Sequence, residues 1–154
     1  MMIMSSVIQY LCVFSLLLLT TCIDDDISLG LSDPIDGRWN ISNVSGGFAG
    51  VDVAYDAGSV TWNFDSTTFT LTVTSTLTDP DVPQSMFLPL QSGSYVYSIF
   101  ELDEARYLSI EGQGIYDNGE YGRIDINSAG DLIIDQSESS SGGADDVYIL
   151  SFTR

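Results

Sequence analysis

The sequence contains no histidine and no lysine. Its basic residues are four arginines, Arg38, Arg106, Arg123 and Arg154, against 22 acidic groups, for a formal net charge of −18. Without imidazole there can be no Ser-His-Asp triad and no histidine-ligated zinc. So acidic a surface repels phosphate backbones, which argues against nucleic acid as a partner, and it repels anionic headgroups as well. The charge reads first as a source of solubility. Cysteine is scarce: Cys12 and Cys22 both lie in the first 22 residues, so the rest of the chain has no disulfide, thiol nucleophile or thiolate metal site. A phosphate loop, a dinucleotide fingerprint and a nucleophile elbow are also missing. Carboxylates are so plentiful that chance pairs are certain, and no spacing singles out a two-carboxylate glycosidase. Asp79-Pro80-Asp81 and Asp145-Asp146 could offer oxygens to calcium, but they lack a calcium-loop spacing and read as solvated loops. The expectation is a protein that is not an enzyme, with no catalytic residues, no metal and no cofactor.

Residues Val7 to Leu19 form an apolar run ending in four leucines. It is shorter than the ~20 residues a membrane-spanning helix needs, and it has the pattern of a signal peptide. Leu19-Thr20-Thr21-Cys22 resembles a lipobox, where bacterial lipoproteins are acylated on cysteine and cut just before it; Thr21 stands where glycine, alanine or serine is usual. Asp24, Asp25 and Asp26 resemble the acidic export signal of lipoproteins in the Bacteroidetes group, which implies the outer membrane and its outer face. A plain solvated tether is the simpler alternative for this tract. The organisation expected is a signal peptide over 1–21, a lipidated cysteine and acidic tether over 22–35, and one domain over 36–154, attached to the membrane through lipid on Cys22.

The body shows alternation and no helical period. Val60, Trp62 and Phe64 alternate with Thr61 and Asn63, and Phe69, Leu71 and Val73 alternate with threonines. Turn signals separate such runs, Asp117-Asn118-Gly119 most clearly, because asparagine and glycine accept the positive φ of hairpin turns. The pattern predicts about eight strands, near 37–44, 59–65, 68–76, 92–100, 105–116, 119–126, 131–137 and 146–153. Gly112 and Gly114 would mark a bulge or bend inside the fifth. Short turns favour an all-β, antiparallel up-and-down barrel, which removes exposed edges; a β-sandwich is the competing architecture. The connection 76–91, with three prolines and Met86-Phe87-Leu88, must either cover the barrel rim or meet a partner.

Gly37-Arg38-Trp39 resembles the Gly-x-Trp signature that opens lipocalins and the wider calycin group, and Gly37 to Arg154 is similar to small lipocalin-like lipoproteins of the Bacteroidetes group. The resemblance implies that Gly37, Trp39 and Arg154 close one end of the barrel, with the arginine packed across the indole. The further lipocalin motifs and a C-terminal helix are missing. A barrel of about eight strands can hold one small ligand, so the leading expectation is a binding module for a small apolar ligand, lined by Trp62, Phe64, Phe69, Leu71, Tyr95, Tyr97, Leu108 and Ile110. The rival is a structural or protein-interaction lipoprotein whose barrel is filled by its own side chains. A hydrolase would need two acidic side chains to converge in a cavity.

Overall fold

Apolar residues at every second position give each strand one face that must leave water, and closing the sheet on itself buries all those faces together. The computed structural model describes residues 33–154. The expected signal peptide, Cys22 and Asp24 to Asp26 lie outside the described residues. Within them run β1 (Gly37–Gly46), β2 (Val51–Ala54), β3 (Val60–Asp65), β4 (Thr70–Ser75), a one-turn helix α1 (Pro83–Met86), β5 (Gly93–Leu102), β6 (Ala105–Ile110), β7 (Glu120–Ile126), β8 (Leu132–Asp135), the two-residue strands β9 (Glu138–Ser139) and β10 (Gly142–Gly143), and β11 (Tyr148–Thr153).

The fold is all-β: a closed eight-stranded antiparallel up-and-down barrel. Its staves follow chain order, and β1 pairs with β11 to close the ring. Along its other edge β1 pairs first with β3 and then with β2, so these two share one place in the wall. A bulge in β1 leaves Ser42 without a partner on β11. It shifts the alternation so that Trp39, Ile41 and Val44 all face inward and are fully buried.

The end of the fifth predicted strand, the place of the bulge and the start of the barrel body depart from the sequence reading. The fifth strand ends at Ile110, and Gly112 lies in a turn at φ 71°, with the Gln113 N–H donating to the Ile110 carbonyl. The bulge falls instead across β6 and β7, where the register jumps from Leu108↔Gly122 to Ser109↔Glu120. Gly122, at φ 149°, lies so close to β8 that a Cβ there would sit 2.6 Å from the Asp135 carbonyl oxygen. Residues 33–35, expected in the tether, belong to the barrel body: Ile35 is fully buried.

Strand directions sort the connections. The turns 65–70, 102–105 and 126–132 lie at one end, with residues 33–36 and Arg154; this is the entry end. The long connections 75–93, 110–120 and 135–148, with 46–60, lie at the opposite, loop end.

Candidate functional site

At the entry end, residues 33–36 cross the base of the barrel. The Trp39 indole N–H donates to the Ile35 carbonyl at 2.6 Å. The Arg154 guanidinium lies 4.3 Å from the indole centroid and donates to the carbonyls of Pro34 (2.8 Å) and Asp36 (3.4 Å). Gly37 supplies the positive φ, 99°, that turns the chain into β1, and a Cβ on it would lie 3.8 Å from the same guanidinium. Gly37, Trp39 and Arg154 are therefore brought together, and a cation over an indole adds about 0.5–2 kcal/mol according to how far it is desolvated.

The eight candidate lining residues divide. Trp62, Leu71 and Leu108 expose nothing to a water-sized sphere, and Phe64, Ile110 and Tyr97 are buried. A side chain that water cannot touch has no void beside it large enough to hold even a water molecule. Trp62 packs against Phe152 with ring centroids 5.1 Å apart, and Phe64 meets Tyr97 edge-on at 5.2 Å. Where these six lie, the interior is filled. Tyr95 is half-buried, its hydroxyl donating to the Gln91 carbonyl at 2.8 Å. Phe69 departs from the inward face: it sits at φ 53°, in the left-handed region, and is 56% exposed. The Trp62 indole N–H is buried without a hydrogen-bond partner among the described residues.

The loop end is covered by the connection 76–92. Leu90 is buried, and Leu77 and Leu88 pack onto the core. The Tyr55 hydroxyl lies 3.0 Å from both the Gln84 and Phe87 carbonyl oxygens, and the Gln84 amide donates back to the Ala54 carbonyl at 3.1 Å. The Tyr121 hydroxyl donates to the Pro89 carbonyl at 3.4 Å. Burial pushes the Tyr55 hydroxyl up to about 12. Burial, reinforced by the negative charges of Asp33, Asp36 and Asp65, does the same for Tyr97, and burial raises Tyr121 as well. All three are held in the neutral form, in which the Tyr55 and Tyr121 hydroxyls donate to their carbonyls.

Between this connection and the barrel top lies a cleft of about 280 Å³, walled by Met86, Phe87 and Pro89 on one side and by Ile115, Tyr121 and Tyr148 on the other. Phe87 meets Tyr148 edge-on at 6.2 Å, while Met86 is 67% exposed. Nearby, the Glu120 carboxylate is buried and accepts from the Ser140 N–H (2.8 Å), the Ser140 hydroxyl and the Asn118 amide. It latches the β9–β10 hairpin to the 111–119 turn.

On the outer wall, Asp125, Asp135 and Glu138 line a hollow of about 220 Å³. Glu138 is paired with Arg123 at 2.9 Å, and Asp135 accepts from the Ser137 N–H and hydroxyl, so these carboxylates already hold local structure. No group of three or more cysteines, aspartates or glutamates is placed to hold a metal among the described residues.

Sequence reasoning missed Tyr55, Leu90, Glu120, Tyr121 and Gln136. Tyr121 and Gln136 lie inside the predicted strands 119–126 and 131–137, yet Tyr121 reaches the Pro89 carbonyl and Gln136 accepts from the Tyr148 N–H and the Tyr116 hydroxyl, contacts that no local pattern signals. Comparisons with protein-family models, curated proteins and solved structures found no match for the chain.

Proposed function

We propose that this chain is a non-catalytic, membrane-anchored lipoprotein, held by lipid on Cys22 and carried to the outer face of an outer membrane, with a filled lipocalin-like barrel that acts as an interaction module through its exterior. The observation that carries the module reading is the packed interior: the residues that would line a ligand chamber are occupied with one another. The contact of Gly37, Trp39 and Arg154 supports the lipocalin-like resemblance. The lipobox-like Leu19 to Cys22 and the acidic tract after it support the address.

Native mass spectrometry of the full chain from its own host tests the module reading. The expected result is a spectrum with acyl mass on the cysteine and no other small molecule; a stoichiometric non-lipid ligand would overturn it. Cys22→Ala should abolish incorporation of labelled fatty acid, and unchanged labelling would refute the anchor.

The loop-end cleft favours a second reading, in which a small apolar molecule binds beneath the 76–92 connection. At about 280 Å³ the cleft lies just under the usual range for small-molecule sites, roughly 300–1,000 Å³. A ligand lost on Met86→Glu, with the fold retained, would establish it.

A further inference from the structure

Strand β5 outruns its neighbour on the β4 side. The β4–β5 ladder ends at Thr70↔Val96, with one more bond from the Tyr97 N–H to the Phe69 carbonyl at 3.0 Å. Phe69, in the left-handed region, ends the ladder there. On its other side β5 stays paired with β6 as far as Leu102↔Ala105. Residues 98–102 therefore form a free strand edge among the described residues.

Strand alternation says which groups face that edge. The Tyr97 N–H points to the β4 side, while the Val96 carbonyl accepts from the Glu111 N–H on the β6 side at 2.9 Å. Ile99 and Glu101 consequently aim their N–H and C=O groups at the open edge. Such edges invite pairing, and natural sheets blunt them with proline, bulges or inward charge. There is neither proline nor bulge in 98–102, and the one charge on the inner face, Glu101, lies at the exposed end of the strand beyond Ile99. Apolar side chains stand on and beside the edge instead: Phe100 is 39% exposed, Leu102 46% and Phe69 56%. The hairpin also carries exposed Glu101, Asp103 and Glu104, and its one cation, Arg106, is engaged by Asp33 at 2.5 Å.

We infer that Ser98 to Leu102 is a strand-addition site for an extended, basic segment of another protein. The inference rests on the interaction-module reading and names its surface. Charge selects the occupant. A second copy would bring the same three acids against these, on a chain of net charge −18, whereas a segment alternating apolar and basic residues answers both features. Added to the edge, it takes hydrogen bonds from Ile99 and Glu101. Its apolar side chains lie beside Phe100 and Leu102 on the outer face, and its cations lie beside Glu101 on the other.

The test uses the full chain in neutral detergent and an acetylated, amidated octapeptide of alternating valine and lysine. Amide exchange is read by NMR and affinity by fluorescence anisotropy. The expected result is saturable binding with slowed exchange at Ile99 and Glu101. Glu101→Pro removes an edge donor without removing a β5–β6 bond, since proline is tolerated where the N–H faces outward. It should lower affinity by at least about tenfold, a loss of about 1.4 kcal/mol, with an unchanged circular dichroism spectrum. Leu102→Lys, which leaves the backbone intact, should also weaken binding and serves if the proline variant does not fold. Absence of binding, equal binding of a peptide with two valines replaced by proline, or protection at other amides would overturn the proposal. So would slowed exchange at Ile99 on concentrating the protein alone, which would assign the edge to a second copy. A co-purified small ligand with peptide binding intact would refute the filled-barrel reading and leave the edge standing. The converse would refute the edge alone.

Discussion

Trp39 and Trp62 allow one chemical change to be made twice with opposite consequences. Both indoles are fully buried, on residues directly opposite each other in the β1–β3 ladder. Replacing either with phenylalanine removes similar volume and leaves a similar void. The difference lies in the N–H. That of Trp39 donates to the Ile35 carbonyl at 2.6 Å, so Trp39→Phe strands a buried acceptor, at a cost of about 1–3 kcal/mol. That of Trp62 has no partner, so Trp62→Phe removes an unsatisfied donor and recovers a penalty of about the same 1–3 kcal/mol. Ring faces of Phe64, Tyr121 and Phe152 surround Trp62, and weak N–H to ring contacts return part of that penalty. Trp39→Phe also gives up some of the cation–π contact with Arg154. Trp39→Phe should therefore be less stable than Trp62→Phe by about 2–4 kcal/mol, toward the lower part of the combined range. Urea unfolding followed by far-ultraviolet circular dichroism measures this, because each variant has lost a fluorophore; equal slopes show that the same surface is exposed on unfolding. If Trp62→Phe proves as destabilising as Trp39→Phe, the Trp62 N–H is fully compensated by the rings around it, and the reasoning is refuted.

Other expectations follow from single features. Replacing Asp24, Asp25 and Asp26 with alanine should reduce protease access to the protein on intact cells, and unchanged access would make the tract a tether only. Because Tyr55 and Tyr97 titrate near 12 when folded and near 10 when unfolded, the unfolded chain releases protons first as pH rises. Stability should be level below pH 9, fall as pH climbs above 10 and go on falling until it passes 12; a urea midpoint still level at pH 11.5 would contradict this. Phe69→Asn should relieve left-handed strain of about 1–2 kcal/mol, offset by loss of the Tyr97 ring contact at 6.3 Å. Thermal melting should show little net change, and a large drop would mean that the ring is structurally required.

The barrel was legible where alternation is carried by side chains that have only one acceptable side. Trp62 and Phe64 in β3, Leu71 and Val73 in β4, and Leu132 and Ile134 in β8 all point inward as their period requires. Strand β2 escaped because Val-Asp-Val-Ala is too short to show a period, and its valines are only half-buried. The sequence prolongs the fifth strand because Ile110, Gly112, Gly114 and Tyr116 continue an even spacing, which two glycines cannot enforce. Phe69 continued the spacing of Leu71 and Val73, but one left-handed residue inverts the face. The loop-end clamps were beyond reach: Tyr55 holds carbonyls 29 and 32 residues away, and the separation is set by the fold itself.

The filled interior has a cause that can be named residue by residue. An eight-stranded barrel encloses a space that ordinary side chains just fill, and this chain sends large ones into it. Trp39, Trp62, Phe64, Tyr97, Tyr121 and Phe152 all point inward and are buried. Opening a chamber would require small residues at several of those positions, or else a cavity cost of about 24 cal/mol for each Å³ left empty. The long connection that could have gated a chamber is instead fastened over the top by Tyr55 and Tyr121, while Trp39 and Arg154 close the base. Packed side chains, a fastened cap and a plugged base leave the loop-end cleft and the β5 edge, among the described residues, as the places open to the proposed recognition. Of these, the edge alone offers backbone groups unpaired among the described residues together with exposed apolar and acidic side chains, and that combination is the physical basis of the proposed strand addition.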